Sequence, residues 1–71
     1  MLTISLRSKF DTDAFCAFLR AVQVAVLAAE GTTVTAAVPG ANSALHERRE
    51  LAGYVVTWNA LHPGQVATLE S

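Results

Sequence analysis

The chain has 71 residues, of which 52% are hydrophobic and 15% charged. That is enough apolar material for one folded domain over residues 1–71, and it excludes a disordered polymer. Its net charge is -1 at pH 7, with the basic residues scattered as Arg7/Lys9, Arg20 and Arg48/Arg49. No basic patch exists for the phosphate neutralisation that non-specific nucleic-acid binding needs, so a nucleic-acid binder is the weakest of the functional readings.

One cysteine cannot form an internal disulfide or a Cys-rich zinc site, which points to a reducing compartment. Met1 to Phe10 lacks the basic start and apolar run of a secretion signal. Arg20 interrupts the longest apolar stretch short of the roughly 20 residues that span a bilayer. The expectation is a cytoplasmic protein without membrane association. Thirteen alanines, and one Lys against four Arg, suggest a GC-rich bacterial or phage source.

Leu2, Ile4 and Leu6 alternate with Thr3, Ser5 and Arg7, the period-two pattern of a strand with one buried face. Ser8 to Phe10 connect it to a helix, with Phe10 placed to staple the first turn. Asp11, Thr12 and Asp13 offer caps to the free N–H groups and negative charge to the positive end of the dipole. Gly31 supplies a stop. The helix is accordingly predicted from Thr12 to Ala29. Its core stripe of Phe15, Leu19, Val22 and Val26 is expected to pack on Ile4, Val34 and Val56.

Thr32 to Val38 reads as a second strand, with Val34, Ala36 and Val38 inward, parallel to the first through a right-handed crossover. Pro39-Gly40 ends it. Ala41 to Glu50 reads as a loop, with at most a helical turn capped by Asn42 or Ser43. Leu51 to Leu61 is predicted as the longest strand, with Ala52, Tyr54, Val56, Trp58 and Ala60 on its apolar face and Val55, Thr57 and Asn59 opposite. His62-Pro63-Gly64-Gln65 fits a type II turn, and Val66 to Leu69 a short edge strand. The sum is an α+β domain of two layers, β-α-β-β(-β), one long helix on a small mixed sheet. Thr3, Ser5, Arg7, Thr33, Thr35, Thr57 and Asn59 would form a wet outer sheet face. In outline this resembles half of a ferredoxin-like domain, or a dodecin.

Few residues carry chemistry. Asp11 and Asp13 could hold a divalent cation, but the helix cap accounts for them without one. Cys16 could act as a nucleophile with His46 or His62 as base, yet it lies beyond the helical positions that lower a thiol's pKa most. His46, His62 and Cys16 match no zinc spacing, so no metal is assigned. Tyr54 and Trp58 could stack on an aromatic cofactor, but stacking platforms in nucleic-acid binders come with a basic groove that this chain lacks, and core packing beneath the helix is the better reading. With no phosphate loop, nucleophile elbow or carboxylate pair in the pattern, neither catalysis nor a cofactor is expected.

The dense charge run His46, Glu47, Arg48, Arg49 and Glu50 is the best candidate for partner binding, as a recognition loop. The surplus apolar arc of the long helix, Ala17, Ala21, Val24, Leu27 and Ala28, is the candidate for a homodimer or higher oligomer. The leading expectation is a non-enzymatic protein-binding module. Such a compact, neutral chain also suits a phage or mobile-element inhibitor of a host system, for example an anti-CRISPR protein. The alternative is a small-ligand carrier with an inter-subunit site.

Overall fold

A computed structural model describes residues 1–70. Among them the chain forms β1 (Leu2–Ser5), α1 (Lys9–Ala21), β2 (Ala25–Glu30), β3 (Thr33–Ala37), α2 (Ala44–Leu61) and β4 (Thr68–Leu69). The sheet order is β2-β3-β1-β4, every neighbour antiparallel. The α+β class and the alternation in β1 and β3 are as expected from sequence. The mixed sheet is not: β1 and β2 run parallel, but β3 lies between them, so the crossover helix joins strands that never pair. This is the split β-α-β connectivity of a whole ferredoxin-like domain rather than half of one.

Helix α1 starts earlier than Thr12 and stops well before Ala29. Ser8 is its N-cap, its hydroxyl accepting the Asp11 N–H at 3.1 Å, while Thr12 Oγ1 donates to the Ser8 carbonyl at 2.9 Å. Phe10 therefore sits inside the first turn, 76% exposed, and staples nothing. At the other end Gln23 adopts φ 66°, the Val24 N–H reaches back to the Leu19 carbonyl at 2.9 Å, and the Gln23 N–H bonds to the Arg20 carbonyl at 3.2 Å. These two bonds form a Schellman cap, completed by apolar contact between buried Val24 and Leu19. The left-handed position carries glutamine where glycine is usual, which hid the stop from the sequence.

The rest of the expected helix is β2, because Val24 and Val26 alternate inward once the chain has turned. A β-bulge falls between Val26 and Ala28, so that Val26 opposes Ala36 while Ala28 opposes Thr35. The extra residue shifts the alternation by one. Ala29 then lies opposite inward Val34, and Glu30 opposite outward Thr33, which keeps the Glu30 carboxylate out of the core. Gly31 (φ 58°) and Thr32 make the two-residue hairpin turn to β3, with positive φ at the first position only, as a type II′ turn requires.

Residues 44–61 are one helix, which overturns both the loop over Ala41 to Glu50 and the strand over Leu51 to Leu61. Ser43 caps it by accepting the His46 N–H at 3.1 Å. Leu51, Val55 and Trp58 are buried at helical spacing, while Val56, expected in the core, is 68% exposed. Every second residue from 52 to 60 except Val56 is also small or aromatic, so the segment satisfied a period of two as well as 3.6. Because it is a helix, Thr57 and Asn59 are not on the outer sheet face. Asn59 instead grips the start of β4, its Nδ2 donating to the Ala67 carbonyl at 3.0 Å and its Oδ1 accepting the Ala67 N–H at 2.8 Å. The turn at 62–65 closes through the Gln65 N–H and the His62 carbonyl at 2.9 Å, but Gly64 has no positive φ, so it is not type II. That geometry occurs at Pro39-Gly40, where Gly40 has φ 80°.

Ile4, Val34 and Ala36 of the strands, with Leu6 just after β1 and Ala67 just before β4, meet Phe15, Cys16 and Leu19 of α1 and Leu51, Val55 and Trp58 of α2 in one core. Both helices thus cover the same side of the sheet. Leu19→Ala should cost roughly 2–5 kcal/mol in chemical denaturation and Val56→Ala less than about 0.5 kcal/mol, a contrast that follows from their opposite burial. Gln23→Val should cost on the order of 1–2 kcal/mol and Gln23→Gly should be neutral or stabilising in the same assay, because only the left-handed position separates them.

Candidate functional site on the outer face of helix α2

The charge run expected in a loop is the N-terminal half of α2, and the helix sorts its members into different jobs. Glu47 belongs to the fold: one carboxylate oxygen accepts from the Met1 ammonium at 2.6 Å, the other from the Val38 N–H at 3.2 Å. His46 turns back on the helix start, Nδ1 accepting the Asn42 N–H at 3.2 Å, with Nε2 lying 3.4 Å from Glu50. Arg48 and Arg49 are exposed, and among the described residues neither guanidinium has a carboxylate within ion-pair distance.

One turn further on, Arg49, Glu50, Gly53, Tyr54 and Thr57 line an open cleft of about 330 Å³. Its floor is Gly53, where an added Cβ would meet no heavy atom within 4 Å. Thr57 Oγ1 donates to the Gly53 carbonyl at 3.0 Å, which holds the threonine against its own helix and leaves the dent open. Tyr54 forms one wall and is anchored edge-on to Phe18 of α1, with ring centroids 6.5 Å apart. Exposed Leu45, Val56 and Leu61 lie along the same helix. Gly53 and Thr57 were invisible as site residues in a segment read as a strand. A glycine inside a long helix is the signal that would have found them.

The other candidates go to structural work. Asp11 is buried and accepts from Gln65 Nε2 at 2.9 Å, whereas exposed Asp13 faces Lys9 at 3.5 Å, so the two carboxylates do not converge. Among the described residues no group of three potential metal ligands is present. Cys16 lies in the core, where burial pushes its thiol above the usual range despite the opposing Arg20 charge. His46 and His62 stand near opposite ends of α2, about 24 Å apart at 1.5 Å per residue. Trp58 is 2% exposed, stacked on His62 at 3.9 Å and flanked by Phe15 and Phe18, so no ring face is open to a cofactor. Tyr54 and Trp58 do pack in the core layer, but from a helix rather than from a strand beneath one.

The five residues expected to form a self-association stripe do not share a helix. Ala17 and Ala21 are exposed on α1, Val24 is buried after the Schellman turn, and Leu27 and Ala28 are exposed on β2. Burial of Val24 removes it from any surface. Among the described residues no helix is long and apolar enough to cross a membrane. No family model matches the chain, and neither a curated protein nor a solved structure shows significant similarity to it.

Glu47 generates a pH prediction. The Met1 ammonium and, next, the Val38 N–H hold its carboxyl below the ordinary carboxylate range. A group with a depressed folded-state pKa stabilises the fold above its unfolded value, about 4.3 for Glu, and that stabilisation is lost as pH falls through the folded value. Melting temperatures measured from pH 7 to pH 3 should therefore fall more for the native chain than for Glu47→Gln. Parallel curves would show that Glu47 does no such work.

Proposed function

We propose that the chain is a non-enzymatic protein-binding module whose contact surface is the outer face of α2. The reading rests on Gly53. Glycine in a helix interior costs about 0.8–1.0 kcal/mol relative to alanine. Here neither a positive φ nor a close neighbour requires it, because the space above it is empty. A destabilising residue with no role in the fold is explained by what it opens, a dent able to take an apolar side chain. The Arg49 guanidinium, which lines the dent and among the described residues has no carboxylate within ion-pair distance, suits a partner that presents a carboxylate next to that side chain.

Within this class, the narrower form is a phage or mobile-element inhibitor of a host system, such as an anti-CRISPR protein. An inhibitor of that kind acts by occupying its target's surface and needs no catalytic group.

The test compares native and altered chains as baits in a bacterial lysate, read by quantitative mass spectrometry. Gly53→Ala should raise the melting temperature by roughly 4–8 °C for each kcal/mol gained. Gly53→Gln, and separately the pair Arg48→Glu with Arg49→Glu, should stay folded and reduce capture of the protein enriched by the native chain at least about tenfold, a loss of about 1.4 kcal/mol. Equal enrichment of that protein by all baits would remove the α2 face from consideration.

A further inference from the structure

Residues 63–70 are fastened to the domain in a way the other strands are not. Strands β1 and β3 share a ladder of four residue pairs and contribute Ile4, Val34 and Ala36 to the core, each fully buried. Strand β4 has two paired residues, and of the apolar side chains in 63–70 only Ala67 is buried, with Leu69 half-buried and Val66 exposed. Its attachment is instead a set of side-chain hydrogen bonds. Trp58 Nε1 donates to the Gln65 carbonyl at 2.6 Å, Gln65 Nε2 donates to Asp11 at 2.9 Å, and the Asn59 amide is bonded through both ends to Ala67 at 3.0 and 2.8 Å. The Glu70 N–H closes the far end on the Thr3 carbonyl at 2.8 Å.

Segments that bury little apolar surface open at a free energy below that of global unfolding. Here the opening has a hinge and a stop. Pro63 and Gly64 are exposed, and a Cβ added at Gly64 would meet no heavy atom within 4 Å, so the chain turns there without packing. His62, just before them, donates its own N–H to the Trp58 carbonyl at 2.8 Å and stacks on the indole at 3.9 Å. With Phe15 and Phe18 on the same ring, Trp58 keeps its packing when the segment beyond the hinge leaves. The Trp58 indole N–H, the Asn59 amide, the Asp11 carboxylate and the Thr3 carbonyl then point at the vacated space, where water replaces the lost partners.

We propose that residues 63–70 form a strap that opens as one unit about Pro63-Gly64 while the rest of the domain stays folded. The clasps act together because Gln65 carries two of them, one to each helix, and Ala67 two more, so that releasing one lets the whole short segment swing. Opening turns β1 from an inner strand into an edge strand. Thr3 to Ser5 then present unpaired main-chain groups, the template to which extended segments add. The fold thus contains a switchable sheet edge, controlled from the end of α2 by Trp58 and Asn59.

Native-state hydrogen exchange of the full chain, read by NMR, tests this. The Ala67 and Glu70 amides and the Trp58 indole N–H should share one protection factor within about threefold, at least about tenfold below that of the Leu6 amide, which bonds across the opposite edge of β1 to Thr32 at 2.8 Å. Asn59→Ala should lower Glu70 protection at least about tenfold, although Glu70 bonds to Thr3 and not to Asn59, because the closed state loses two hydrogen bonds that the open state lacks. Val34→Ala, in the core that opening leaves intact, should lower Leu6 protection at least about tenfold and leave Glu70 within about twofold. Equal protection at Leu6 and in the strap overturns the proposal. So does a Glu70 amide that Asn59→Ala leaves unmoved, which is simple fraying, or one that falls with Leu6 in Val34→Ala. If a variant does not fold, the native chain decides: three separate values within the strap, or none below Leu6, sink the idea.

Discussion

The indole of Trp58 ties the structure together. Its ring is buried against Phe15 at 5.2 Å and Phe18 at 5.4 Å, fixing α2 beside α1, and it is stacked by His62 at 3.9 Å. Its Nε1 donates to the Gln65 carbonyl at 2.6 Å, so the same side chain satisfies its one donor by holding the turn after its own helix. Gln65 then passes the constraint on, since its amide donates to the Asp11 carboxylate in the first turn of α1. With Asn59 gripping Ala67 a few residues away, the two-residue strand β4 is delivered to β1 in register. A strand that short has little stability of its own. It persists because side chains of α2 make the bonds that a longer ladder would have made.

Two local devices at the other end decide the connectivity. The Schellman turn at Val22 to Val24 ends α1 early enough for β2 to form, and the bulge at Leu27 lets the chain enter β2 with Val24 and Val26 inward and still finish with Glu30 outward. Both devices settle one conflict: an apolar run must enter the core at its start, yet ends in a carboxylate that cannot be buried unpaired. The antiparallel sheet that results places all inward side chains on one side, where two helices cover them. The outer face of α2, with its cations and glycine dent, and the uncharged sheet face therefore lie on opposite sides of the domain.

Phe15, Phe18, Tyr54 and Trp58 pack in or against the core, only Phe10 of the aromatic residues is exposed, and the lone thiol is buried. The histidines serve a helix start and a ring stack. What stays available to solvent includes Arg48 and Arg49, which have no ion-pair partner among the described residues, a dent over Gly53 and an uncharged sheet face.

Some of this was legible in the residues themselves. The alternation of Leu2, Ile4 and Leu6 and of Val34 and Ala36 marked β1 and β3, since a strand with one buried face must alternate. Composition bounded the class, and Phe15 and Leu19 were recognisable as core. The candidate site was legible only as a cluster of charge: Arg48, Arg49 and Glu50 were named, but Gly53 and Thr57 were not, because their significance depends on a helix where a strand was read. Sequence could not settle the state of residues 22–30 and 51–61, because apolar residues are spaced there so that they satisfy periods of 3.6 and of two alike. Tertiary contacts chose between them. Val24 gained burial against Leu19 by leaving the helix, and β3 supplied a partner for the backbone of β2. For α2, only the helical period turns Leu51, Val55 and Trp58 together onto α1 and the sheet, and a core shared by distant segments is a property that no local pattern contains.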